Sequence, residues 1–247
     1  MDPLATMTVA ALHELGFEPM PRYEAALAEA CCRHTPLFGL RAYGDTYREV
    51  AVDPYWMATS LVTNAEREGD GAGRLWSLAA CTDDPAVAAE IKRHALDESR
   101  HARWYVSLLH LVFPGAVDDS LAGHLHDLSP GYSQREQPVP VPGSPYAHAV
   151  TVDDLIQMNI AEIRTRIHHL LMRPILQAHC APAARDRIAP ILERLLVDET
   201  KHIGYTARLI EAHGARDGAP VELFAERLRD FNDITEHELG QRVFEST

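Results

Sequence analysis

Two copies of one short motif constrain this 247-residue chain more than any other feature. Residues 97–101 (D-E-S-R-H) and 198–202 (D-E-T-K-H) both read D-E-x-x-H. In a helix, Glu and His three residues apart lie on one face, so both side chains can bind the same ion. The chain has 14 histidines, so a single E-x-x-H would mean little, but two copies that both carry the Asp are not expected by chance. The motifs therefore predict two metal-ligating helices.

Apolar residues recur with helical spacing through most of the chain, and no alternating run is typical of a strand. The pattern predicts an all-α fold. Its core has four long helices, at about 54–81, 85–113, 151–178 and 183–212. The second helix should start at Asp84-Pro85, because Asp favours the N-cap position and Pro the first helical position.

The segment 114–150 differs from the rest because it is rich in Pro and has no sustained periodicity. Two short links and one long link between four helices are the connectivity of ferritin-like bundles, in which the long link is a crossover. We therefore expect a single ferritin-like domain over 1–247, with its four-helix core at 54–212. A helical extension at 1–50, with one or two short helices, precedes the core, and a last helix at 221–244 follows it.

A carboxylate site for two metals also needs one Glu from each of two further helices. The third helix offers Glu162, the only acidic residue in its middle, and burying a lone carboxylate there is costly unless it binds a cation. The first helix offers Glu66 and Glu68. Residues one and two turns from Glu68 are small or apolar, whereas those around Glu66 are more polar. We prefer Glu68 as the ligand and keep Glu66 as the alternative.

In this order of ligands the chain resembles the ferritin-like non-haem di-iron carboxylate superfamily, and within it the oxygenase and oxidase branch. The resemblance covers about 54–212. Carboxylate-rich sites with one imidazole for each metal suit iron or manganese better than zinc or copper. The ligand set predicted for two iron ions, with manganese or a mixed iron–manganese pair as alternatives, is Glu68, Glu98, His101, Glu162, Glu199 and His202.

The resemblance also implies a role for each residue of the motifs. The two motif glutamates would bridge or chelate the metals, the two motif histidines would each bind one metal, and the other two glutamates would be terminal ligands. Asp97 and Asp198 would accept the second ring N–H of the ligand histidines and fix their orientation.

Four further residues are weaker candidates. His94 lies one turn before Glu98, which is similar to the extra histidine of arylamine N-oxygenases, although there the extra histidine belongs to the second motif. Whether His94 is a seventh ligand, a neighbour of the ligands or a surface residue stays open. His169 lies on the face of the third helix that carries Glu162. Tyr105 and Tyr205 each follow a motif histidine by one turn and are candidates for a redox-active or hydrogen-bonding phenol, with a core role as the alternative.

Charge and composition limit the possible partners and compartments. The formal net charge is −13, which disfavours nucleic acid and anionic lipid as partners. We see no apolar run long enough to cross a membrane and no secretory signal. The four cysteines have no metal-binding or disulfide spacing. We therefore expect a cytoplasmic protein with reduced thiols.

These observations favour a non-haem di-iron oxygenase or oxidase that uses dioxygen as cosubstrate. Its reaction on a small organic substrate would be N-oxygenation, hydroxylation or desaturation, with electrons from an external donor. One alternative is a ferroxidase or peroxide-scavenging ferritin-like protein, and another is a metal-free helical interaction protein. A homodimer is a possible assembly. The sequence identifies neither the substrate nor the electron donor.

Overall fold

The computed structural model of the chain describes residues 2–117 and 119–244. The residues that it describes form nine α-helices and no strand, which confirms the all-α prediction. Three short 3-10 turns lie between helices. The helices are α1 (Pro3–Glu14), α2 (Pro21–Arg33), α3 (Arg41–Val50), α4 (Pro54–Cys81), α5 (Pro85–Val112), α6 (Asp119–Asp127), α7 (Val152–His179), α8 (Arg185–Asp217) and α9 (Val221–Phe244).

The four long helices and the last helix lie where the sequence predicts them, with one extension. The helix α8 runs through Pro190 and ends at Asp217 instead of at about residue 212. Two regions contain more helix than predicted. The first 50 residues form three helices, and Pro21 begins α2. The crossover 114–150 contains α6. The bundle arrangement of the long helices, and the single domain, stay predictions.

The chain divides into two compact units. The central unit comprises Glu49–Val150 and Met172–Leu195, and the terminal unit comprises Met1–Arg48, Thr151–Leu171 and Leu196–Thr247. The helices α7 and α8 contribute residues to both units.

The central unit is built on the antiparallel pair α4 and α5. Both helices begin at an Asp-Pro pair, and the Asp carboxylate accepts backbone N–H bonds of the first turn, from Tyr55 at Asp53 and from Ala86 and Val87 at Asp84. This confirms the predicted start of α5. Such caps satisfy N–H groups that have no partner within the helix, and they fix where each helix begins.

The crossover lies along the α4–α5 pair and is held by residues of both helices. The ring of Trp76 stacks on that of Tyr132, with 4.2 Å between centroids and 5° between planes. The hydroxyl of Ser77 accepts a hydrogen bond from the backbone N–H of Val141 at 2.9 Å. The hydroxyl of Ser129 donates to the backbone carbonyl of Ser99 at 2.7 Å. The Pro-rich segment is therefore a docked part of the central unit.

The terminal unit packs α1, α2 and α9 with parts of α7 and α8. The phenol of Tyr23, which is fully buried, donates to the side-chain oxygen of Asn159 at 3.0 Å. The amide of Asn159 donates in turn to the carbonyl of Ile203 at 3.1 Å and to the hydroxyl of Thr206 at 2.9 Å. This buried network joins α2, α7 and α8. Over the described residues, no helix combines the length and the apolar character needed to cross a membrane.

Candidate metal centre

In the central unit, α4 and α5 together bury two glutamates and two histidines. We call this set the first half-site: Glu68 on α4, with His94, Glu98 and His101 on α5. His101 Nδ1 lies 3.8 Å from one oxygen of Glu68 and 3.8 Å from one oxygen of Glu98. His94 Nε2 lies 3.0 Å from the other oxygen of Glu98. The helical repeat explains the three residues on α5, since positions 94, 98 and 101 share one face.

In the terminal unit, α7 and α8 hold a second set of the same composition, in which Glu162 is half-buried and the other three residues are buried. We call it the second half-site: Glu162 and His169 on α7, with Glu199 and His202 on α8. His202 Nδ1 lies 3.1 Å from an oxygen of Glu199 and 3.6 Å from an oxygen of Glu162. His169 Nδ1 lies 3.9 Å from the other oxygen of Glu199. Each half-site thus offers two carboxylates and two imidazoles.

The donor atoms are spaced as ligands of a common ion would be. Nitrogen and oxygen ligands lie about 2.1 Å from a small divalent metal, so two of them at ordinary angles are about 3 to 4 Å apart. The separations within both half-sites, 3.0 to 3.9 Å, fall in this range. Seven side chains of the described residues belong to groups that could hold a metal ion: Glu68, His94, Glu98, His101, Glu162, Glu199 and His202.

Burial makes a cation the natural partner of these carboxylates. Glu98 is 6% exposed and Glu199 is fully buried, and a carboxylate away from water is costly unless it is paired, hydrogen-bonded or bound to a metal. Burial by itself raises the pKa of Glu98. The neighbouring side chains of Glu68, His101 and His94 outweigh that effect and hold the pKa of Glu98 well below its usual range.

The two candidates on the first long helix have different surroundings. Glu68 is buried within the first half-site. The side chain of Glu66 is 47% exposed, and one of its oxygens lies 3.0 Å from Nε2 of His124 in the crossover helix α6. The structure therefore brings Glu68, and not Glu66, together with the α5 histidines.

The two motif aspartates each form an ion pair within their own helix. Asp97 pairs with Arg100, and Asp198, which is 1% exposed, accepts a bond of 2.9 Å from the ammonium of Lys201. Their expected role, accepting an N–H of the ligand histidines, stays a prediction.

Tyr105 and Tyr205 are both buried, at 1% and 6% exposure. The hydroxyl of Tyr205 points to the sulfur of Met158 at 3.9 Å, which is a weak hydrogen bond. Burial fits the core role considered for both residues, and a redox role for either stays a prediction.

Two residues lie closer to the proposed metal ligands than the sequence predicts. His169 was a weak candidate, yet its ring is 2% exposed and faces Glu199. Trp104 was not predicted at all, although its ring stacks on that of His101, with 5.5 Å between centroids and 24° between planes. The available signal for Trp104 was its spacing, because residues three apart in a helix are neighbours.

Comparison with known proteins assigns no family to the chain: no family model matches it, and neither does any curated protein or any solved structure. The ferritin-like superfamily therefore stays a resemblance based on the sequence motifs.

Proposed function

We propose that the protein is a non-haem di-iron oxygenase or oxidase in which the two half-sites bind a pair of iron ions. One observation carries the proposal: two helix pairs each bring together two carboxylates and two imidazoles, with donor atoms 3.0 to 3.9 Å apart. A set rich in carboxylates with some imidazole is typical of iron and manganese sites, whereas the thiolate ligands that favour zinc or copper(I) are missing from both half-sites as the structure describes them.

The chemistry of such a site depends on the bound ions and on the residues around them. Two iron ions, when bound, supply the electrons that activate dioxygen for the oxidation of a small organic molecule. The chain's own part is to hold the ions, offset their charge with four carboxylates and keep bulk water away. The burial of Glu98, His101, Glu199 and His202 supports this last role.

Particular residues would fix the geometry of the ligands. Asp97 and Asp198 would orient the ligand histidines through their second ring N–H, as the resemblance implies. His94 and His169 extend each half-site by one imidazole and are proposed as additional ligands. The proposed reaction is N-oxygenation, hydroxylation or desaturation of a small organic substrate, with electrons from an external donor, and the proposed assembly is a homodimer.

Metal analysis tests the ligand assignment. The wild-type protein, loaded with iron(II) without oxygen, should retain close to two ions per chain. The variants Glu98→Ala and Glu199→Ala should lose iron while keeping the helical circular-dichroism signal, because each removes a carboxylate that contacts two histidines. The matched control is Glu66→Ala, which removes an exposed glutamate of α4. Two ions retained by both Glu98 and Glu199 variants would refute the assignment.

A ferroxidase or peroxide scavenger is the second enzymatic reading, and a manganese or mixed iron–manganese pair is a variant of both. Oxygen consumption that depends on an added organic substrate supports the oxygenase. Rapid oxidation of many iron ions per chain, with assembly into a shell, supports the ferroxidase. If the wild-type protein binds neither iron nor manganese, both enzymatic functions are excluded and a metal-free interaction protein is the remaining alternative.

A further inference from the structure

The first half-site has an aromatic neighbour that the proposed function does not use. Trp104 lies on α5 three residues after His101, and the two rings are stacked, with centroids 5.5 Å apart and planes inclined by 24°. His101 is fully buried, whereas Trp104 is partly exposed to solvent. The indole therefore reaches from the surface to the ring of a proposed metal ligand.

The ring of His101 connects Trp104 to the proposed metal ligands. Nδ1 of His101 faces the carboxylates of Glu68 and Glu98, at 3.8 Å from each. Its imidazole thus has the proposed metal ligands at one nitrogen and the indole against its ring. Electron tunnelling falls off exponentially with distance, so two stacked rings that link solvent to a metal ligand form a short path through protein.

We infer that Trp104 is the point at which electrons from a one-electron reductant enter the metal centre, through the ring of His101. The inference rests on the proposed function, because it needs a redox-active metal bound at His101. In each transfer the reductant loses one electron and the metal gains one, and no bond forms or breaks.

A nearby cation makes Trp104 harder to oxidise. The guanidinium of Arg100 lies over the Trp104 ring, 5.0 Å from its centroid. A positive charge at the face of a ring stabilises the neutral indole and disfavours the loss of an electron from it. Electrons can then pass through Trp104 to the metal, while oxidation of the indole itself by the metal centre is disfavoured. Asp97 pairs with Arg100 and keeps its side chain in place.

The central unit contains a matched control for this arrangement. Trp76 on α4 is also stacked and also has a cation over its ring, the ammonium of Lys92 at 5.8 Å from the centroid. Its stacking partner, however, is Tyr132 of the crossover, which is not a proposed ligand. A change at Trp76 tests for the general effect of losing a stacked tryptophan.

The experiment compares iron-loaded, oxidised wild type with Trp104→Leu, Trp104→Phe and Trp76→Phe, each brought to the same iron content. Reduction by excess reduced methyl viologen is followed by stopped-flow absorbance without oxygen. We expect a severalfold slower reduction for Trp104→Leu, an intermediate rate for Trp104→Phe, which keeps an aromatic ring, and the wild-type rate for Trp76→Phe. Iron content should be the same in wild type and in the Trp104 variants.

Other outcomes overturn the inference in distinguishable ways. Equal reduction rates for wild type and Trp104→Leu at equal iron content would refute the electron path while leaving the proposed function intact. A lower iron affinity with an unchanged rate per bound iron would show that Trp104 only positions His101. Equal slowing in Trp76→Phe would show an unspecific effect. Failure of the wild type to bind iron would instead remove the proposed function.

Discussion

The close approach of the crossover to α4 at Gly69 gives a prediction whose size follows from the structure. A Cβ added at this position would lie 1.9 Å from the backbone carbonyl oxygen of Leu128. That is about 1.1 Å inside the 3.0 Å below which real Cβ contacts essentially do not occur. The atom in the way belongs to the backbone, so Gly69→Ala forces the crossover itself to move.

Two effects of that movement destabilise the protein, and one effect of the substitution stabilises it. Overpacking of a close contact costs about 1 to 3 kcal/mol. Ser129, the residue after Leu128, donates to Ser99 and accepts from Arg103, and losing these hydrogen bonds costs about 0.5 to 1.5 kcal/mol each. Replacing a helical Gly by Ala stabilises the helix by about 1 kcal/mol. We therefore expect Gly69→Ala to lower the free energy of unfolding by about 1 to 5 kcal/mol.

Two residues further along α4, Gly71 provides the control. A Cβ there meets no atom within 4 Å, so Gly71→Ala keeps only the gain of about 0.5 to 1 kcal/mol from helix propensity. Urea unfolding followed by far-ultraviolet circular dichroism measures both variants. Limited trypsin digestion adds a local readout, because Arg135 lies exposed in the crossover and should be cut faster in Gly69→Ala. Equal stability and equal cleavage of the two variants would refute the docked crossover.

Three further predictions concern the terminal unit and the proposed ligand Glu98. Tyr23→Phe should lower the free energy of unfolding by about 1 to 2 kcal/mol in urea titrations, since it removes the donor to the buried side-chain oxygen of Asn159; no change would mean that the bond contributes nothing. Gly204→Ala should lower the melting temperature, because its Cβ would lie 2.1 Å from a ring carbon of Phe17; a rise would contradict this packing. In metal-free protein, the depressed pKa of Glu98 contributes stability above its unfolded value of about 4.5, and that stability is lost as the pH falls through the folded value. Acid titrations of unfolding should therefore show a smaller loss for Glu98→Gln than for wild type, and parallel curves would contradict the shift.

Local signals explain why the long helices could be predicted from the sequence. Asp53-Pro54 and Asp84-Pro85 combine a capping carboxylate with a proline in the first turn, and both helices begin there. Of the short helices, α1 has the same signal, with Asp2 as the cap and Pro3 in the first turn. The third one, α3, instead places Tyr43 and Tyr47 on the ring of His168 in α7, a contact more than 120 residues away in sequence. Short helices that depend on such packing cannot be derived from local pattern.

The same distinction applies to the half-sites. Spacing alone puts Glu98 and His101 on one face of α5, and Glu199 and His202 on one face of α8. Contacts between helices depend on how far one helix is shifted along the other, which the sequence does not state. This is why Glu66 and Glu68 stayed alternatives until the structure showed which one is buried.

The origin of the additional imidazole shows what the N-terminal helices contribute. In the first half-site, His94 comes from the motif helix itself, so the helical repeat sets its distance to Glu98. In the second half-site, His169 comes from α7 and meets Glu199 on α8, so that contact exists only at one register of the two helices. The buried bonds from Asn159 to α8 fix this register, and Tyr23 of α2 completes them. The first 50 residues carry no metal-binding motif, yet through Tyr23 they help to hold the second half-site together.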